Sequence, residues 1–139
     1  MTMGTPADHA GWVARAKALK IDAGLFIDGA SCDATSGAVI DAINPATGAL
    51  ITQMACGGAT DIDRAVASAK RAWDDRRWRD LTPRTRMDIF RRWADLVERD
   101  AADLALMETL SMGKPVTDAL TIDLPESIVT IRYFGEAID

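Results

Sequence analysis

The sequence is poor in the residues on which most catalytic centres are built. Its 139 residues contain one histidine, His9, and two cysteines, Cys32 and Cys56. These three residues lack the spacing of a zinc site, and two cysteines are too few for a disulfide framework. We expect Met1–Asp8 to be a frayed end and His9 to be a solvated tail residue, because a general base must be held rigidly near its substrate.

Long apolar runs and clustered positive charge are also missing. The apolar runs are far shorter than the roughly 20 residues that a membrane helix needs. The first ten residues contain no Lys or Arg and no apolar core of the kind found in signal peptides. The net charge is −5 and the pI is about 4.8, whereas nucleic-acid binding needs a basic patch. We therefore expect a cytoplasmic protein that binds neither nucleic acid nor a membrane.

No glycine-rich phosphate-binding loop is present. Gly57-Gly58 precedes a predicted helix, but the Gly-x-Gly-x-x-Gly spacing of a dinucleotide site is absent. Asp61 and Asp63 place negative charge where an anion would bind, which disfavours phosphate there. Cys56 has no basic neighbour of the kind that activates a thiolate, so a structural interpretation is favoured for it.

Arginine is plentiful in the middle of the chain, but aspartate is interspersed with it. Trp78 and Trp93 lie in the same stretch, and aromatic residues among basic ones can stack on nucleotides. The mixture of charges instead favours an ion-paired, solvated helix surface.

The part of the chain before residue 60 reads as a short helix followed by an antiparallel β-ribbon. Asp28-Gly29 and Asn44–Gly48 have the composition of turns. The predicted elements are a helix over Trp12–Ile21 and strands over Leu25–Ile27, Val39–Ile43 and Leu50–Ala55.

The part after residue 60 shows the periodicity of about four helices. We expect Thr60 and Asp63 to cap the first helix, and Thr82-Pro83 to begin the second. Asp100 and Gly113 would bound the third, and Pro125 would kink or restart the fourth. The apolar pattern continues to Ile138, whereas chain ends are more often polar, so we expect a polypeptide cut within a larger domain.

Several of these segments carry a family pattern in the same order along the chain. Leu25–Thr52, which reads LFIDGASCDATSGAVIDAINPATGALIT, resembles the opening of aldehyde dehydrogenases. The next matches are Asp61–Val66, Trp78-Arg79 and Ala94–Leu96, and the most specific one is Glu108–Pro115. The resemblance covers about 115 residues. Trp12–Lys20 and Ile131–Asp139 look most like the bacterial members that act on γ-glutamyl-γ-aminobutyraldehyde and related amino-aldehydes.

The resemblance implies an α/β family fold with a Rossmann-like coenzyme domain, of which this chain is a mainly helical piece. Residues 1–23 would be an N-terminal arm with a short helix, and residues 24–139 the incomplete first segment of the coenzyme-binding domain. In the family, the oxyanion Asn, the general-base Glu and the nucleophilic Cys come after residue 139. Neither cysteine of this chain matches the catalytic motif, so no catalytic or cofactor-binding residue is carried over.

The resemblance also implies a partner set for the full-length enzyme: an aldehyde substrate, NAD or NADP, and other copies of the same subunit. We expect this chain alone to bind no cofactor. Some relatives bind a monovalent cation through backbone oxygens near Ala42-Ile43 and an Asp at the position of Ser111. The candidate cation ligands are therefore Ile43 and Ser111, although the missing carboxylate removes a ligand that hard cations favour.

Two other classes of function remain open from the sequence. The chain could be a non-catalytic helical interaction module that docks on a full-length homologue, or a truncated gene product that aggregates because its apolar residues stay unburied. A reading frame that continues past Asp139 into a Gly-rich segment and a Cys motif would exclude the module.

The purified 139-residue chain should produce no NADH when it is mixed with NAD⁺ and an aldehyde, because the nucleophile of this chemistry is missing from it. The measurement is the increase in NADH absorbance over the rate without protein. Clear aldehyde-dependent turnover would show that the catalytic residues have been assigned wrongly.

Overall fold

The computed structural model describes residues 5–138, which form two compact units. One unit is Ile21–Leu81, and the other consists of the chain up to Lys20 and the chain from Thr82 onward. The helices and strands, in chain order, are α1 His9–Ala18, β1 Leu25–Ile27, β2 Ala30–Cys32, β3 Val39–Ile43, β4 Leu50–Ala55, α2 Ala59–Asp74, α3 Pro83–Arg99, α4 Ala101–Met112, α5 Val116–Asp118, a π-helical turn Ala119–Asp123 and α6 Leu124–Glu136.

Two antiparallel hairpins form the first half of the Ile21–Leu81 unit. Strands β1 and β2 pair so that Leu25 faces Cys32, and their turn places Asp28 and Gly29 at φ +57° and +80°. These are the positive φ values that a two-residue hairpin turn requires. Strands β3 and β4 pair from Val39 opposite Ala55 to a bulge beside Ile43. The predicted strands and turns are thus confirmed, while Ala30–Cys32 is an additional strand that its small, polar sequence did not reveal.

Helix α1 belongs to the other unit and begins earlier than its sequence predicts. The Asp8 carboxylate accepts a hydrogen bond from the Gly11 N–H at 2.8 Å and caps the helix at His9. The predicted range Trp12–Ile21 is therefore wrong at both ends, and His9 is the first helical residue rather than part of a tail. The predicted frayed end is wrong for Asp8, whereas Met1–Gly4 lie outside the described residues.

The start of α3 and the end of α4 follow the predicted local signals, whereas Asp100 lies at the N-cap position of α4 without a side-chain capping bond and pairs with Arg99 instead. The Thr82 hydroxyl accepts a hydrogen bond from the Thr85 N–H at 3.2 Å, and Pro83 is the first residue of α3. Gly113 ends α4 with φ +83°, a left-handed conformation that favours glycine. These signals are predictable because cap chemistry acts within three or four residues.

Pro125 is accommodated by a widened helical turn. The Leu124 N–H donates to the Ala119 carbonyl, five residues back, and Pro125 then lies in the first turn of α6. Proline can occupy a first turn because its missing N–H would have no helical partner there. After the π-helical turn the α-helix therefore begins again at Leu124, directly before Pro125, as the sequence predicts.

Helices α3 and α6 form the main helix pair of their unit. A Cβ atom added to Gly135 of α6 would lie 2.6 Å from the Phe90 Cβ, so only glycine fits this approach. The Arg132 guanidinium also joins the two helices, donating to Asp95 at 3.0 Å and to Glu98 at 2.8 Å.

Few large side chains are buried among residues 5–138. The seven buried hydrophobic residues include five alanines, and Leu106 and Ile128 are the only larger ones in that set. Ile128 is 8% exposed, whereas Phe134 of the same helix is 60% exposed. The apolar residues Ile62, Val66 and Trp73 of α2 are each about 60% exposed.

Gly135→Ala should destabilise the chain, although alanine favours a helix over glycine by about 1 kcal/mol. Forcing a methyl group against Phe90 costs about 1–3 kcal/mol, so after the gain in helix propensity we expect a net loss of up to about 2 kcal/mol in the free energy of unfolding. Urea unfolding followed by circular dichroism measures this. Glu136→Ala, at an exposed neighbouring position of α6, is the control. A Gly135→Ala chain more stable than the unsubstituted one would contradict the close approach.

Candidate functional site

The most highly organised polar cluster lies in the Ile21–Leu81 unit around the carboxylate of Asp61. This side chain is only 3% exposed, although it lies in the first turn of α2. It accepts hydrogen bonds from the Thr35 hydroxyl at 2.6 Å and the Thr35 N–H at 3.1 Å. The Gly58 N–H at 3.0 Å and the Arg64 guanidinium at 3.1 Å also donate hydrogen bonds to this carboxylate. Asp61 thus joins the loop after β2 to the start of α2.

Hydrogen bonding keeps the Asp61 carboxylate ionised. The Thr35 hydroxyl lowers the pKa of Asp61 most, the Gly58 N–H adds to this, and burial opposes both. A carboxylate that accepts several hydrogen bonds is stabilised in its charged form. Its partners within this cluster all belong to the chain itself, so the cluster is a structural joint.

This joint also bears on the alternative of a phosphate site. An anion at the start of α2 would need the free N–H groups of the first helical turn. The Asp61 carboxylate accepts a hydrogen bond from the Gly58 N–H, directly before this turn. Its negative charge disfavours a second anion there, as the sequence predicts. The predicted cap is nevertheless wrong in detail, because Gly58 and Asp61 fill the places assigned to Thr60 and Asp63. An acidic residue three positions after Gly58 is the sequence signal that could have identified this cap.

The two cysteines and the single histidine, His9, belong to different compact units. The Cys32 thiol donates weakly to the Leu25 carbonyl, with sulfur and oxygen 3.4 Å apart, and its sulfur lies 3.8 Å from an Arg64 nitrogen. Cys56 is exposed, and both cysteines are free thiols. Nucleophilic catalysis needs a base within hydrogen-bond reach, and His9 lies in the other compact unit.

The two candidate cation ligands lie in separate elements. Ile43 is the last residue of β3, and Ser111 lies in the last turn of α4, where its hydroxyl is 3.4 Å from the Glu108 carbonyl oxygen. They belong to different compact units. Within residues 5–138, no group of three or more His, Cys, Asp and Glu side chains is placed to hold a metal. The cation site stays a prediction.

A cleft of about 460 Å³ lies within the Ile21–Leu81 unit, between the loop after β2 and the β3–β4 hairpin. Its lining is mostly small residues, with Asp33 as the one ionisable side chain and Gln53 as the one amide. A single carboxylate without a partner acid, base or nucleophile in the cleft does not form a general acid–base centre.

The arginine-rich stretch is ion-paired, as its charge pattern predicts. Arg84 and Arg91 both lie within 3.5 Å of Asp88, and Arg76 pairs with Asp80 at 2.8 Å. Across the described residues, none of the helices combines the length and the hydropathy needed to cross a bilayer.

The chain is similar to known proteins over most of its length. The model of the aldehyde dehydrogenase family matches residues 32–139. The aminoacetaldehyde dehydrogenase of Pseudomonas aeruginosa is 44% identical over 128 residues, which are 92% of this chain and 26% of the relative. The chain therefore spans about a quarter of the length of this curated relative.

Solved structures confirm the fold predicted from the resemblance. The γ-glutamyl-γ-aminobutyraldehyde dehydrogenase from Burkholderia cenocepacia matches with a TM-score of 0.91 and 41% identity, over 94% of this chain and 26% of that one. The indole-3-acetaldehyde dehydrogenase AldA of P. syringae, solved with NAD⁺ and IAA, matches with a TM-score of 0.91 and 43% identity over the same shares. The expected piece, antiparallel strands followed by four helical stretches, fits these proteins.

Asp61→Ala should lower the melting temperature of the chain by at least about 4 °C, because four hydrogen-bond donors lose a buried acceptor. The pKa of Asp61 is lowered below its ordinary value of 3.8. The stabilisation is therefore complete above that value and is lost as the pH falls below it. The difference in stability between the unsubstituted and Asp61→Ala chains should shrink over that range. Thermal and urea unfolding across pH measure it.

Asp63→Ala is the matched control, because Asp63 is an exposed aspartate two residues after Asp61 in α2. Equal melting temperatures for the Asp61→Ala and Asp63→Ala chains would show that Asp61 is not the joint of this unit.

Proposed function

Because the chain belongs to the aldehyde dehydrogenase family, we propose that it is the N-terminal quarter of an enzyme that oxidises an aldehyde to its carboxylic acid with NAD⁺ or NADP⁺. The observation that carries this proposal is the match of the whole ordered series of segments to enzymes about four times as long. In such an enzyme, a Cys thiolate outside this chain attacks the aldehyde, and the nicotinamide accepts the hydride.

The role of this segment in that enzyme is structural. The buried carboxylate of Asp61 has donors of the same chain as partners. We assign no cofactor contact to the segment, since the Asp61 carboxylate places negative charge at the glycine-preceded N-terminus of α2, where it accepts from the Gly58 N–H.

The exposed apolar residues support a place within a larger fold. Ile62, Val66 and Trp73 of α2, and Tyr133 and Phe134 of α6, are each about 60% exposed. Burying one such large side chain stabilises a protein by roughly 1.5–3 kcal/mol, so a free chain forgoes much of its potential stability. We propose that the remaining three quarters of the enzyme covers these faces.

The finer assignments concern substrate, location and assembly. We propose an amino-aldehyde substrate, because proteins 44% and 41% identical are an aminoacetaldehyde and a γ-glutamyl-γ-aminobutyraldehyde dehydrogenase. We propose a cytoplasmic location, which fits two free thiols. We propose a homo-oligomeric enzyme on the family resemblance. We also propose a monovalent-cation site at Ile43 and Ser111 on the family resemblance.

The interaction-module alternative rests on the same exposed apolar faces. A stand-alone module would bury them on a separate, full-length homologue rather than on its own polypeptide. The two functions differ in connectivity: the enzyme segment acts when it is covalently part of the chain, whereas the module acts when it is added in trans.

A chimera of AldA from P. syringae, with its aligned segment replaced by this chain, tests the proposal. We expect it to retain NAD⁺ reduction with indole-3-acetaldehyde, with kcat/KM within about tenfold of the parent, or about 1.4 kcal/mol. A control chimera, identical except for Gly135→Leu, should lose both its fold and its activity. The leucine side chain would force α6 away from Phe90.

A soluble, folded chimera without aldehyde-dependent NADH formation would contradict the proposal. Adding the free chain to intact AldA completes the experiment: co-elution of the two on gel filtration, together with an inactive chimera, would favour the module.

A further inference from the structure

We draw no further inference here: the strongest candidate, the acidic groove that Asp123, Glu126, Ser127 and Thr130 line at the start of α6, carries nothing because no second observation in the structure ties this cluster to a ligand.

Discussion

The constraint on which the rest of the structure depends is a shortage of buried apolar volume. Among residues 5–138, no large side chain is fully buried, and five of the seven buried hydrophobic residues are alanines. Small side chains let backbones approach closely, as Gly135 does at Phe90, but each contributes little transfer free energy. The units therefore rely on short contacts and polar joints, while large apolar residues such as Trp73 and Tyr133 face outward.

Polar joints between elements provide part of the stability that a larger apolar core would provide. In the Ile21–Leu81 unit, Asp61 ties α2 to the loop after β2. In the other unit, the buried Arg15 donates to Asp103 at 2.6 Å and holds α1 against α4, and Lys114 pairs with Asp123. That second pair raises the pKa of Lys114. Such joints fix geometry, which suits a segment whose proposed role is to support a catalytic centre located elsewhere in the polypeptide.

The features that could be predicted from the sequence are those decided within a few residues. Asp28-Gly29, Thr82-Pro83 and Gly113 specify turns and caps through their own backbone preferences, and the structure follows them. The Asp61 joint was missed because its main partner, Thr35, is 26 residues away in the chain. The periodicity of α2 shows that the helix has an apolar face, but not what covers it, so the sequence left the exposure of that face undecided.

The most direct test of this account is hydroxyl-radical labelling of aromatic side chains, compared between the free chain and the AldA chimera. Trp73, Tyr133 and Phe134 are about 60% exposed in the chain, so they should label readily there. We expect strong protection of all three side chains in the chimera. Equal labelling in both proteins would contradict the claim that these faces are built to be covered by the rest of an enzyme.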